Sequence, residues 1–161
     1  MTASRGTSGR AYAGLMIKLL RKRFESSNRL YTDLAMSIGP SELDSRLPGI
    51  ASNTIGGQFW CVAGGRHSSA QAVRAGEWQG FMSAMTAAEA IDPESVVRIL
   101  GSTNEAVVGL FDASEEFTEA QLRILLALLE HEAYHHGQLT RYLYGLEIDR
   151  PDSWKRRYSL T

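Results

Sequence analysis

Two histidines, His131 and His135, lie four residues apart in a segment that contains no proline. Residues with this spacing lie on one face of an α-helix, one above the other, so both imidazoles can reach the same ion. Zinc and related divalent metals accept imidazole nitrogen as a ligand. The spacing therefore predicts a divalent metal site to which His131 and His135 each contribute a ligand.

The same two histidines fall on the face of this helix that is predicted to be buried. Steps of four and three residues connect Ile124, Leu128, His131, His135, Gln138 and Tyr142. Burying two imidazoles costs free energy unless each finds a partner, and a shared cation would be one. Hydrogen bonds to neighbours such as Gln58 are the alternative. His136 points about a hundred degrees away and is predicted to lie at the surface or behind the ligands.

A metal site between helices needs a ligand from a second helix, and Cys61 is the candidate. Steps of four, three and four connect Thr54, Gln58, Cys61 and Gly65, so Cys61 lies mid-way along one face. A Cys/His/His set suits zinc, with nickel, iron or copper as alternatives. The competing interpretation is that this lone cysteine is buried as a small hydrophobic residue. In another register Asn53 would take its place.

Other polar and aromatic residues receive supporting roles. Gln58, Glu132 and Gln138 are candidates for positions behind the ligands, and no catalytic residue is assigned. His67 lies in a polar stretch, residues 66–69, and is predicted to be exposed. The aromatic side chains are predicted to be packing residues; they are Trp60, Trp78 and Phe81.

The positions of these residues depend on four predicted helices. Periodic apolar residues and end signals place them at residues 12–37, 52–73, 93–110 and 118–144. Asp92 can cap the third helix, and Thr118 with Gln121 forms a capping-box pattern before the fourth. We expect an all-α, antiparallel four-helix bundle over residues 11–161, preceded by a flexible lead-in at 1–10. The aromatic tail, residues 150–158, is predicted to pack over one end.

Composition limits the function classes. The chain has 161 residues, 43% of them hydrophobic, which is enough for one buried core. Its formal net charge of −1 gives no field that would attract nucleic acid or an anionic membrane. No apolar run is long enough to span a bilayer, and the N-terminal residues are unlike a secretion signal. A single cysteine fits a cytoplasmic protein.

Two segments resemble the DinB-like family of DNA-damage-inducible four-helix bundles, which includes thiol-dependent transferases. Residues 131–139 read His-Glu-Ala-Tyr-His-His-Gly-Gln-Leu and are similar to the family signature His-Glu-x-His-His-Arg-Gly-Gln-Leu. Residues 54–64 resemble the second-helix segment that carries the family's remaining histidine ligand, which falls on Cys61. Cysteine therefore replaces a histidine ligand, and Tyr134 and His136 replace the usual histidine and arginine.

The resemblance implies a metal-dependent enzyme that transfers a small-molecule thiol to an electrophile. A metal-dependent hydrolase is an alternative, and so is a stress-related protein that only binds metal or a partner. A second apolar stripe on the last predicted helix either packs against a neighbouring helix or forms a homodimer face. The stripe consists of Leu122, Leu126, Leu129 and Ala133.

Overall fold

The computed structural model describes residues 5–114 and 116–161, with side chains from residue 14 onwards and that of residue 12. The described part is all-α and contains no strand. Its α-helices are α1 (Arg5–Ser37), α2 (Pro40–Leu43), α3 (Ile55–Ala75), α4 (Pro93–Ala113), α5 (Glu119–Gly145) and α6 (Asp152–Tyr158). A 3-10 helix spans Glu89–Ile91. The four long helices, α1, α3, α4 and α5, correspond to the four predicted from the sequence.

Capping residues define where these helices begin. The Asp92 side chain accepts a hydrogen bond from the Ser95 amide at 3.0 Å, and Pro93 follows as the first residue of α4. Thr118 and Gln121 form the capping box that was predicted for α5. In α3 the cap is Thr54, whose hydroxyl accepts from the Gly57 amide, so this helix begins at Ile55 and not at the predicted residue 52.

Helix α1 begins earlier than the sequence pattern indicated. It starts at Arg5, whereas the lead-in was predicted to extend to residue 10. Glycine lowers helix propensity by about 1 kcal/mol but does not end a helix as proline does, so Gly6 and Gly9 were not sufficient stop signals. Residues 1–4 of the predicted lead-in lie outside the described residues.

Two apolar clusters fill the interior at different levels along the helices. One contains Tyr31, Phe59 and Leu139, together with the fully buried Trp154 of α6. Trp154 donates a hydrogen bond from its ring nitrogen to the Leu30 carbonyl at 2.7 Å, so the aromatic tail packs into the core. The other cluster contains residues from the opposite halves of the same helices, among them Phe24, Val73, Phe111 and Leu128.

A buried ion pair between Arg66 and Glu132 lies between the two clusters. Both side chains are 1% exposed, and Arg66 Nε donates to Glu132 Oε1 at 2.5 Å. Arg66 also donates from Nη1 to the Asn28 side-chain oxygen on α1 at 2.8 Å and to the Leu100 carbonyl on α4 at 3.1 Å. Its guanidinium lies 5.2 Å from the Tyr31 ring centre. Arg66 thus links α3 to the other three long helices.

Arg66 is buried although it belongs to the polar stretch, residues 66–69, in which His67 was predicted to be exposed. Ser68 and Ser69 are buried with it, and only His67 is partly exposed. Steps of three and four connect Phe59, Val62, Arg66, Ser69 and Val73, so the buried face of α3 passes through the arginine. The spacing therefore indicated a buried position for Arg66, although the polar composition of residues 66–69 suggested an exposed one.

The second apolar stripe of α5 is divided between the interior and the surface. Leu122 and Leu129 pack partly against the second cluster, while Leu126 is 46% exposed and Ala133 is exposed. A homodimer on this face stays a prediction. None of the described helices combines the length and the apolar character that a membrane-spanning segment requires.

Replacing Arg66 by methionine should lower the free energy of unfolding by about 3–5 kcal/mol, because the Glu132 carboxylate would remain buried without its cation. The double variant Arg66→Met, Glu132→Leu should lose less than Arg66→Met alone, since no uncompensated charge remains. Urea unfolding measures both. Arg74→Met, at an exposed arginine of the same helix, is the control and should change stability by less than about 1 kcal/mol. Equal losses of unfolding free energy in the single and double variants would show that the uncompensated Glu132 charge is not the cause of the loss.

Candidate metal centre

The structure brings Cys61 of α3 together with His131 and His135 of α5. Each contributes one potential ligand atom, and these three atoms lie within 4.8 Å of one another. His131 Nε2 is 3.1 Å from His135 Nε2 and 3.5 Å from Cys61 Sγ. This half-buried cluster could hold a metal ion, and all three residues were candidates from the sequence.

Two of the three ligand separations agree with the dimensions of a tetrahedral zinc site, and the third, between Cys61 and His135, is at most 4.8 Å. Zn–N bonds of about 2.0–2.1 Å and Zn–S bonds of about 2.3 Å place two nitrogens about 3.3 Å apart and a nitrogen and a sulfur about 3.5 Å apart. The observed separations of 3.1 Å and 3.5 Å match those two edges. Three protein ligands would leave a fourth position open, as in catalytic zinc sites. The 3.1 Å separation also fits a hydrogen bond between the two imidazoles, so distance alone does not exclude a metal-free pair.

Gln58 orients one of the two imidazoles. Its side-chain oxygen lies 2.7 Å from His135 Nδ1 and accepts a hydrogen bond from it. With the proton on Nδ1, the lone pair of Nε2 points into the cluster, which is how a residue behind a ligand fixes its tautomer. Gln58 therefore lies behind His135, and this hydrogen bond is also the one expected of the alternative, in which the histidines are buried without a metal. His131 has no equivalent support, since its Nδ1 is buried and has no partner in the described part of the chain.

Burial leaves the histidines uncharged and the cysteine protonated near neutral pH. Loss of hydration, reinforced by His131, lowers the pKa of His135 to about 4. Burial also lowers the pKa of His131, against the opposing effect of the Glu132 charge. Burial raises the pKa of the Cys61 thiol above its usual value. The two imidazole lone pairs are therefore available to a cation, whereas the thiol must lose a proton before it can bind one.

Gly65 makes room for the His131 ring. A Cβ at this position would lie 2.7 Å from His131 Cε1 and 2.8 Å from Nδ1. The neighbouring Gly64 accommodates Phe81, whose ring atom Cζ would lie 2.4 Å from a Cβ there. At Gly56 a Cβ would meet the Ala90 carbonyl, so that glycine allows a backbone to approach α3, whereas at Gly64 and Gly65 side chains approach.

His131 lines two cavities of different character. The polar cavity, of about 510 Å³, is bordered by the cluster and by residues that include Gln58, Tyr134, Gln138 and Arg141. The apolar cavity, of about 360 Å³, is bordered by His131, Gly65, Trp78, Phe81, Ile124, Ala127 and Leu128, among others. Trp78 and Phe81 were predicted to be packing residues, but they are 54% and 48% exposed because they lie on the connection between α3 and the 3-10 helix.

The other candidates behind the ligands lie elsewhere. The Glu132 carboxylate binds Arg66 and makes no hydrogen bond to the cluster among the described residues. Gln138 donates to the Tyr134 hydroxyl at 2.7 Å and borders the polar cavity without contacting either imidazole through a hydrogen bond. Asn53, the alternative to Cys61, is exposed at the cavity rim, and its backbone carbonyl accepts a hydrogen bond from Tyr142.

His136 is not the surface residue that its direction on the helix suggested. It is 5% exposed, stacks on Tyr31 with ring centres 4.2 Å apart, and hydrogen-bonds through Nδ1 to the Tyr158 hydroxyl at 2.7 Å. Burial and the nearby arginines, Arg66 first among them, lower its pKa to about 3. The prediction failed because α6 covers this side of α5, whereas the aromatic tail was predicted only to pack over one end of the bundle. His67 lies outside the cluster and hydrogen-bonds Gln71.

No protein-family model matches the chain, and neither a curated protein nor a solved structure matches it. Membership of the DinB-like family therefore stays a prediction that rests on residues 54–64 and 131–139.

Gly65→Ala should lower zinc affinity by about ten-fold or more, because the added methyl group displaces the His131 ring from the cluster. Competition with a chromophoric chelator measures the affinity. Gly101→Ala is the matched control: nothing lies within 4 Å of a Cβ there, so zinc affinity should not change and the helix should become slightly more stable. Unchanged affinity in Gly65→Ala would show that the position of His131 does not matter to binding.

Zinc binding near pH 7 should release about one proton, from Cys61, because both histidines are already neutral. The affinity should then rise about ten-fold for each pH unit below the thiol pKa. Calorimetry in buffers of different ionisation enthalpy counts the protons. In Cys61→Ser the release should disappear, and a release that persists would assign the proton to another group.

Proposed function

We propose that the protein is a DinB-like antiparallel four-helix bundle whose Cys61, His131 and His135 hold one divalent ion. Zinc is the first choice on the donor set, with nickel or iron as alternatives. Support comes from the order of the four long helices, from the match of two of the three ligand separations to a tetrahedral site, and from Gln58 behind His135.

On this basis the protein transfers a small-molecule thiol to an electrophile. A divalent ion in the cluster would hold the thiol as thiolate and lower its pKa. The sulfur then attacks an electrophilic carbon: a carbon–sulfur bond forms, the bond to the leaving group breaks, and the thiol proton passes to solvent. The single observation that carries this proposal is that His131, one of the three candidate ligands, lines both the polar and the apolar cavity.

The two cavities suit two different substrates. Arg141, Gln138 and Tyr134 border the polar cavity, so they offer a cation and hydrogen-bonding groups to a polar thiol. Trp78 and Phe81 offer aromatic surface to an apolar electrophile on the other side of His131. The closeness of both cavities to one imidazole supports a reaction between two bound molecules.

Hydrolysis has less support from the geometry. A metal-dependent hydrolase usually needs a group that accepts a proton from water. No carboxylate lines the polar cavity among the described residues, and Glu132 is occupied by Arg66. A metal-binding protein without catalysis remains the competing proposal, and turnover separates it from a transferase. The cytoplasmic location and the role in stress are proposals from the lone cysteine and the family resemblance.

Protein purified without a histidine tag should contain about one metal ion per chain, and His135→Ala should contain much less, because two ligands rarely retain a divalent ion. Elemental analysis gives both numbers. Equal metal content in the two proteins would contradict the proposed metal site and, with it, the proposed metal-dependent reaction.

A conjugation screen with small thiols and with chlorinated or epoxide electrophiles then tests the reaction. Gly64→Ala is the sharpest variant, because its methyl group displaces Phe81 without reaching the cluster. It should keep its metal yet raise KM for apolar electrophiles, while KM for the thiol stays unchanged. Retained metal with no turnover in the wild-type protein would favour the metal-binding protein over the transferase.

A further inference from the structure

Ser69 of α3 brings a hydroxyl to the wall of the apolar cavity. The residue is 5% exposed, and its hydroxyl makes no hydrogen bond within residues 5–114 and 116–161. Unlike the fully buried Oε2 of Glu132, this oxygen retains some accessible surface, and the cavity that Ser69 borders is the apolar one. A hydroxyl in so enclosed a position favours a ligand that supplies a hydrogen-bond partner.

The rest of the lining favours a neutral ligand with an aromatic ring. Trp78 and Phe81 offer aromatic surface, and Ile124 is one of the aliphatic side chains on the opposite side. Arg123 also borders the cavity, but it donates from Nε and Nη2 to Glu119 Oε1 at 3.0 Å and 2.6 Å, so its charge is already compensated. A cavity of about 150 Å³ accepts benzene, so the 360 Å³ here has room for a ring with substituents.

The position of Ser69 fixes where on such a ring the polar group must lie. Cys61, Gly65 and Ser69 follow one another at steps of four, so they share one face of α3. Each step is about 6 Å along the helix, which places Ser69 about 12 Å from Cys61. Gly65, half-way between them, faces the His131 ring. A ligand that contacts Ser69 must therefore extend by about the width of a ring before it approaches the candidate metal centre.

We infer that the apolar cavity selects a benzylic electrophile whose ring carries a hydrogen-bond acceptor, such as a carbonyl group, opposite the reacting carbon. Ser69 donates a hydrogen bond to the acceptor, Trp78 and Phe81 contact the ring, and the benzylic carbon lies towards His131. The reaction itself rests on the proposed function: the thiolate sulfur bonds to the benzylic carbon, the carbon–chlorine bond breaks, and chloride leaves with the bonding electron pair. Binding of the ring needs no metal ion.

Acetophenone is the binding probe, because it has the ring and the acceptor, and α-methylstyrene is its matched control, with a CH₂ group in place of the oxygen. NMR titration of the full-length protein should shift the indole N–H signal of the exposed Trp78 but not that of the buried Trp154. Ser69→Ala should weaken acetophenone binding about three- to ten-fold and leave α-methylstyrene unchanged, since only acetophenone loses a hydrogen bond. Ser102→Ala, at an exposed serine of α4, should change neither.

Kinetics test the same contact in the metal-containing protein. Ser69→Ala should raise KM for 4-acetylbenzyl chloride about three- to ten-fold and leave KM for benzyl chloride unchanged, because benzyl chloride has no acceptor.

Two binding results would overturn the inference. One is a Trp78 signal that neither probe shifts at millimolar concentration. The other is an equal effect of Ser69→Ala on the two probes, which means that its hydroxyl does not recognise the carbonyl group. Turnover of other electrophiles alongside either result would leave the proposed function standing. Conversely, acetophenone binding that depends on Ser69, in a protein without turnover, would support the selectivity of the cavity and contradict the transferase.

Discussion

The buried ion pair between Arg66 and Glu132 is the interaction on which the rest of the structure depends. It lies between two apolar clusters, where the helices have no continuous hydrophobic contact to fix their register. At this level Arg66 connects α3 by hydrogen bonds to α5 through Glu132, to α1 through Asn28 and to α4 through the Leu100 carbonyl. A charged pair of this kind adds little net stability compared with apolar packing, but it is costly to break. Its effect is therefore to specify one arrangement of the four helices.

That arrangement positions the candidate metal centre. Cys61 lies on α3 five residues before Arg66, and His131 and His135 flank Glu132 on α5. The ion pair and the candidate metal centre thus join the same two helices, α3 and α5. Gly65 allows the His131 ring to reach the surface of α3, and Gln58 fixes the direction of His135. In this arrangement the three potential ligand atoms lie within 4.8 Å of one another.

Features that depend only on residues close together in the sequence were predictable from local signals. The helices, the caps at Asp92 and Thr118, and the common face of His131 and His135 all follow from spacing, and the structure confirms them. Contacts between distant segments were not predictable in this way. His136 is buried because α6 packs over it, and Trp78 and Phe81 are exposed because a connection of irregular structure carries them. The Arg66–Glu132 ion pair was only partly predictable. The spacing places each charge on the buried face of its helix, but which charges pair depends on how the helices pack.

The charge of Glu132 also bears on whether a cation can be accommodated. Without it, the guanidinium of Arg66 would oppose a divalent ion at His131, because two positive charges would share a poorly hydrated interior. Glu132 raises the pKa of His131 and Arg66 lowers it, so the two charges act on this histidine in opposite directions. The Glu132 carboxylate thus compensates the charge of Arg66, which links the helices. It also reduces the repulsion between Arg66 and a cation at the candidate metal centre. Its second oxygen is buried and, like Nη2 of Arg66, has no hydrogen-bond partner among the described residues.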